Sequence, residues 1–168
     1  MKLPTRQTLK EQILLALYAA LMFALQIAMA QLPNIEPVTL FVILLTTVYG
    51  WKSLISVYVF VLLEGLFWGF GEWWIGYLYV WAILVVIVMC LRRHGNVVLW
   101  TVVAGFYGLC FGLLCAPAHF LVGGIGGGLA WIISGLPYDI IHGIGNIAMV
   151  LILFVPLQKL LLKLVREQ

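Results

Sequence analysis

A chain of 168 residues that is 65% apolar and only 9% charged cannot cover a soluble surface, because a soluble domain carries charge on roughly a quarter of its residues. Lipid must therefore be its main solvent, and a helix needs about 20 apolar residues to cross a bilayer core. Six such crossings use most of the chain and exclude a soluble catalytic domain, and the formal charge of +3 does not signal nucleic-acid binding.

In chain order, apolar runs predict helices over 13–31, 38–50, 53–70, 73–91, 97–122 and 129–164. The first turn is Pro33-Asn34-Ile35-Glu36-Pro37, and Trp51-Lys52 ends the second helix. Arg92-Arg93-His94-Gly95-Asn96 separates helices four and five. A loop with five glycines, 123–128, precedes helix six, which Gly135-Leu136-Pro137 should disturb. The nine cations are Lys2, Arg6, Lys10, Lys52, Arg92, Arg93, Lys159, Lys163 and Arg166. With six helices and both termini in the cytoplasm, all of them fall on the inner side, as the positive-inside rule requires. Four of the six acids, Glu36, Glu64, Glu72 and Asp139, fall on or near the outer side. The expectation is an all-α polytopic membrane protein, one transmembrane domain over 1–168. The basic start, apolar run and Ala28-Met29-Ala30 also fit a secretory signal peptide, but the polytopic sequence behind them argues against cleavage. Cys90, Cys110 and Cys115 form no CxxC pair and read as small buried thiols.

Helix one carries Ala16, Ala20, Ala24 and Ala28 at a spacing of four. Such a stripe lets another helix approach closely, either within the chain or on a partner. Helix three places Glu64, Trp68 and Glu72 at the same spacing. An unpaired carboxyl at Glu64 is costly, so His142, His119 or a ligand is its expected partner. Trp73 and Trp74 suit an interfacial belt. Trp81 lies eight residues in, about 12 Å deep at the helical rise. Trp74, Tyr77 and Trp81 share a face and suit either a flat ligand or a packed core. On helix six, Asp139, His142 and Asn146 share a face. Ionisable groups inside a membrane face a polar cavity or a partner, so they mark a ligand site or a hydrogen-bonded cluster.

Catalytic and nucleotide motifs are missing. There is no GxSG, no second Gly-x-Gly-Asp to match Tyr138-Asp139, and no GxGxxG or Walker pattern. His119 and His142 leave open a haem protein or membrane enzyme, though their separation makes no metal-binding motif. A small secondary carrier is a further alternative, without a detectable repeat.

The chain resembles the substrate-binding S components of energy-coupling-factor (ECF) transporters, the bacterial vitamin importers, and is most similar to their cobalamin-type branch. The resemblance spans nearly the whole chain. It rests on the charged amphipathic start, the alanine stripe and the turn Leu32-Pro33-Asn34-Ile35-Glu36-Pro37. It continues through Val61-Leu62-Leu63-Glu64-Gly65, the run from Trp73 to Trp81, and Gly135-Leu136-Pro137-Tyr138-Asp139-Ile140-Ile141-His142-Gly143. It implies a six-helix subunit of the bacterial plasma membrane, not an enzyme, that captures a vitamin such as cobalamin at the outer face. Its implied partners are a transmembrane coupling subunit (T component) and two cytoplasmic ATPases. The family's alanine motif, which contacts the coupling subunit, maps onto Ala16, Ala20, Ala24 and Ala28. The family's substrate region maps onto Asn34, Glu36, Trp74, Tyr77, Trp81, His119, Asp139, His142 and Asn146. No catalytic or metal-binding residue, and no cofactor beyond the vitamin itself, is expected.

Overall fold

The computed structural model describes residues 6–32 and 34–166, with side chains placed for 9–32 and 34–165. Pro33 of the first turn, Lys2, and the side chains of Arg6 and Arg166 lie outside the described residues. Every regular element among the described residues is helical: α1 (Arg6–Ala28), α2 (Val38–Tyr49), α3 (Ser53–Trp68), α4 (Glu72–Leu91), α5 (Val97–Leu109) and α6 (Phe111–Arg166). A 3-10 turn, Gly50–Lys52, joins α2 to α3. An apolar solvent leaves backbone N–H and C=O groups no partner but the chain itself, and the helix satisfies them locally. Four stretches are long and apolar enough to cross a membrane: Leu9–Ala28, Val38–Trp68, Glu72–Leu91 and Val97–Val165.

The helix α2 is the centre of the packing. Every residue from 38 to 46 is buried, as expected of a helix apolar on all sides. Around it, paired contacts fix the helix directions. Glu11 pairs with Lys52 at 2.6 Å, and the Leu15 carbonyl accepts from the Ser56 hydroxyl at 2.7 Å. Phe23 meets Phe67 edge-on at 5.6 Å. Partners advance together, so α1 and α3 run the same way. Between α3 and α4 they advance in opposition: Tyr58 donates to the Leu78 carbonyl and the Trp74 indole donates to the Val61 carbonyl. Opposition also holds between α4 and the α5–α6 junction, where Tyr107 donates to the Val80 carbonyl and Tyr79 to the Leu114 carbonyl.

The glycine run differs from the expected loop. Helical structure continues through 111–166 except at Gly124, whose φ of 65° and ψ of −165° break it. Partners recede from Gly124 in step on both sides. Trp131 stacks on His119 at 3.7 Å, Asp139 accepts from the Gly112 amide at 2.9 Å, and Asn146 donates to the Ala104 carbonyl at 3.2 Å. The chain thus reverses at one residue and forms a helical hairpin. The predicted disturbance at 135–137 is absent; α6 carries Pro117, Pro137 and Pro156 within it. The predicted helix over 97–122 is instead interrupted at Cys110 (φ −98°, ψ 2°). Asn96 caps α5 by accepting from the Leu99 amide at 2.9 Å, which satisfies one of the four free donors of a helix start. Of the three cysteines, Cys115 is buried, Cys110 is intermediate and Cys90 is exposed.

Glycines make the hairpin close. A Cβ added at Gly108 would lie 2.8 Å from the Gly143 nitrogen and 2.9 Å from its Cα, and backbone cannot yield as a side-chain tip can. Gly108→Ala should therefore destabilise the protein by about 1–3 kcal/mol, as overpacked interiors do. Gly123→Ala is the control, because a Cβ there meets nothing within 4 Å. Thermal unfolding in detergent separates the two, and equal melting temperatures would contradict the close approach.

Candidate functional site

Between α1 and α2 the described residues 29–32 and 34–37 lie at one end of the bundle. Asn34 takes φ 55° there, a left-handed conformation that Asn tolerates better than most residues. It lines two neighbouring cavities. The first, of about 350 Å³, is walled by Gln26, Met29, Ala30, Leu32, Asn34, Ile35, Glu36, Trp68, Tyr77, Phe111 and His142. The second, of about 440 Å³, includes Asn34, Trp73, Tyr77, Phe111, Cys115, Trp131, Tyr138 and Asp139. Asn34, Tyr77 and Phe111 belong to both, so they divide one region into two adjoining chambers, labelled inner for the first and outer for the second. Each chamber falls within the size range of small-molecule sites.

Among the expected site residues, Asn34, Glu36, Tyr77, Asp139 and His142 come together on these walls. Glu36 Oε1 lies 3.6 Å from His142 Nε2, too far for a good hydrogen bond but close enough for an electrostatic pair. His142 is 1% exposed, and neither of its ring nitrogens has a hydrogen-bond partner. Phe111 stands edge-on to the imidazole at 4.8 Å. Glu64 is also buried, with Oε1 unpartnered, and lies within electrostatic reach of Glu36 and Tyr77. Leaving such a group unpaired costs about 1–3 kcal/mol, so His142, which walls the first chamber, is poised to receive a partner from a ligand.

The other expected residues are engaged elsewhere. The Trp74 indole donates to the Val61 carbonyl at 2.8 Å. Trp81 is fully buried among Phe60, Tyr77, Tyr107 and Phe111. His119 Nδ1 faces Glu72 Oε2 at 3.2 Å while its ring stacks on Trp131. Asn146 fastens the hairpin through the Ala104 carbonyl. The expected pairing of Glu64 with a histidine is not formed; Glu36 stands 3.6 Å from His142 and Glu72 3.2 Å from His119. Ala16, Ala20, Ala24 and Ala28 are all exposed, whereas Leu15, Ala19 and Met22 face the core. The stripe is therefore not packed against a neighbour in this chain.

Gln26, Phe111 and Trp131 are site residues that sequence reasoning missed. Gln26, a polar residue within an apolar helix, carried a readable signal. Phe111 carried none, since one aromatic in an apolar run looks like any other.

Glu36, on the connection outside the long apolar stretches, has its carboxyl pushed up to about 7, chiefly by burial and against the opposing hydrogen bond from Gln26. The folded state then holds a proton that the unfolded state releases above 4.5. That contribution is fully present below 4.5 and is lost as pH rises through 7, with a span on the order of 3 kcal/mol. Melting temperature should fall from pH 4.5 to 7.5 more steeply in wild type than in Glu36→Gln. Parallel profiles would place the Glu36 carboxyl in water.

No family model, curated protein or solved structure matches the chain.

Proposed function

We propose that this protein is the substrate-specificity subunit of an ECF-type importer, capturing a vitamin or related micronutrient at the outer face of a bacterial plasma membrane. The observation that carries the reading is the pair of adjoining chambers, the first bearing Gln26, Glu36 and His142 and the second largely apolar with Asp139, at the end of the bundle remote from the Glu11–Lys52 ion pair. Cobalamin is the first candidate; it is larger than either chamber and would have to span both across Phe111. The subunit binds and releases the vitamin, and a coupling subunit with two ATPases supplies the energy for uptake. It carries out no catalysis itself.

Six crossings with both termini cytoplasmic accompany this reading. In support, the 31-residue and 69-residue apolar stretches exceed the length of one crossing, and they contain positive-φ glycines at Gly50 and Gly124. Division there gives segments that alternate in direction and collects Lys52, Arg92, Arg93, Lys159 and Lys163 on one side.

Equilibrium binding of a vitamin panel to the purified subunit tests the function. One vitamin should bind, and His142→Ala should weaken it roughly 5- to 150-fold, the cost of about 1–3 kcal/mol for a lost buried polar contact. Melting without vitamin should stay near wild type. Binding of no vitamin, or a haem chromophore with a Soret band, would sink the reading.

A further inference from the structure

From the composition of the chamber walls we infer that the inner chamber recognises the N–H donors of its ligand, as a cationic or carboxamide-bearing group, and rejects carboxylates and phosphates. The inference rests on the proposed function and adds the chemistry of the captured group.

Among the described residues, the only charged side chains on these walls besides His142 are carboxyls, Glu36 and Asp139. Glu36 and His142 face each other at 3.6 Å. Gln26 Oε1 on the same wall is a buried acceptor oxygen without a partner, and so is Glu64 Oε1, which lines neither chamber but interacts electrostatically with Glu36. Asp139 adds a third carboxyl in the outer chamber, with one oxygen held by the Gly112 amide. No Lys or Arg lines either chamber among the described residues.

Charge counting then excludes anions. If His142 is protonated and Glu36 ionised, the pair is neutral, and Glu64 and Asp139 leave the region negative or neutral. If His142 is neutral, no positive group remains. In either state an incoming carboxylate or phosphate finds no fixed cation to replace its hydration, and burying such a charge unpaired is costly. An ammonium, amidine-like or carboxamide N–H meets oxygens that already lack donors, so it gains charge-assisted hydrogen bonds. The aromatic walls, Trp68, Tyr77 and Phe111, suit the apolar or cationic body of the same ligand.

The test compares probes on the purified full chain. Nicotinamide presents a carboxamide, thiamine is cationic, biotin and pantothenate present carboxylates, and pyridoxal phosphate presents a phosphate. Nicotinamide or thiamine should bind most tightly, and which of the two wins separates carboxamide from cation recognition. Glu36→Gln and Glu64→Gln keep the shape and remove the charge, and each should weaken that probe about tenfold or more. Thermal melting of each variant establishes that it is folded. Tightest binding by biotin, pantothenate or pyridoxal phosphate overturns the inference but leaves vitamin capture standing. Unchanged affinity in a folded glutamine variant also overturns it. Should both variants fail to fold, the ranking of probes on the wild type decides. Binding of none of the five overturns this inference, whereas failure of the proposed function requires the full vitamin panel to fail.

Discussion

Ala20→Trp is expected, on the proposed importer function, to abolish assembly with the coupling subunit, and with it uptake, while the isolated subunit folds and captures ligand as before. The reason lies in the two faces of α1. Leu15, Ala19 and Met22 are fully buried against the bundle, and Ala20 lies exposed with Ala16, Ala24 and Ala28. Helices associating within a membrane gain most from close backbone approach across small residues. An indole at the centre of such a stripe holds the partner helix off, whereas in the free subunit it meets only solvent or lipid. Stability of the isolated chain should change by no more than about 0.5 kcal/mol, as for other exposed substitutions. Co-purification with the coupling subunit and ATPases, set beside vitamin binding by the subunit alone, gives both readings. A complex that still assembles would remove the stripe from the interface.

The largest effect on folding belongs to Trp81→Ala. Trp81 is 0% exposed, and its ring lies within 5.5 to 6.2 Å of those of Phe60, Tyr77, Tyr107 and Phe111. Truncating a large buried aromatic leaves a cavity and costs about 3–5 kcal/mol, a large share of the stability of a small protein. Tyr77 rests on this ring and walls both chambers, so Trp81 supports the site from below. Unfolding of Trp81→Ala, with milder loss in Trp81→Phe, is the expected outcome in thermal melts. A variant that melts like wild type but fails to bind would instead place Trp81 at the ligand.

Much of this was readable in the sequence because lipid imposes simple rules. Apolar runs marked α2, α3 and α4 to within a few residues, and the turn ending at Asn96 put the start of α5 at Val97. Asp139 and His142 stood out because polar groups in apolar surroundings are expensive, Tyr77 as part of an aromatic face, and Asn34 and Glu36 only through the resemblance; the fold gathers all five at two adjoining chambers. The rest depended on contacts between distant segments. The glycines at 123–128 suggest a loose loop when read locally, yet only Gly124 leaves the helix. Gly105, Gly108, Gly112 and Gly143 looked like ordinary membrane glycines, and only the folded hairpin reveals that Cβ atoms there would collide. Trp81 and Tyr77 share a helix face, and nothing local says which of them reaches the chamber.

The most direct measurement of the central claim is mass spectrometry of the small molecule retained by the purified subunit. The protein is incubated with a mixture of vitamins, washed by gel filtration and denatured to release what it holds. Vitamin capture predicts one vitamin at a stoichiometry near one per chain, lost or strongly reduced in His142→Ala. Retention of haem, or of no vitamin by a folded wild-type protein, would contradict it.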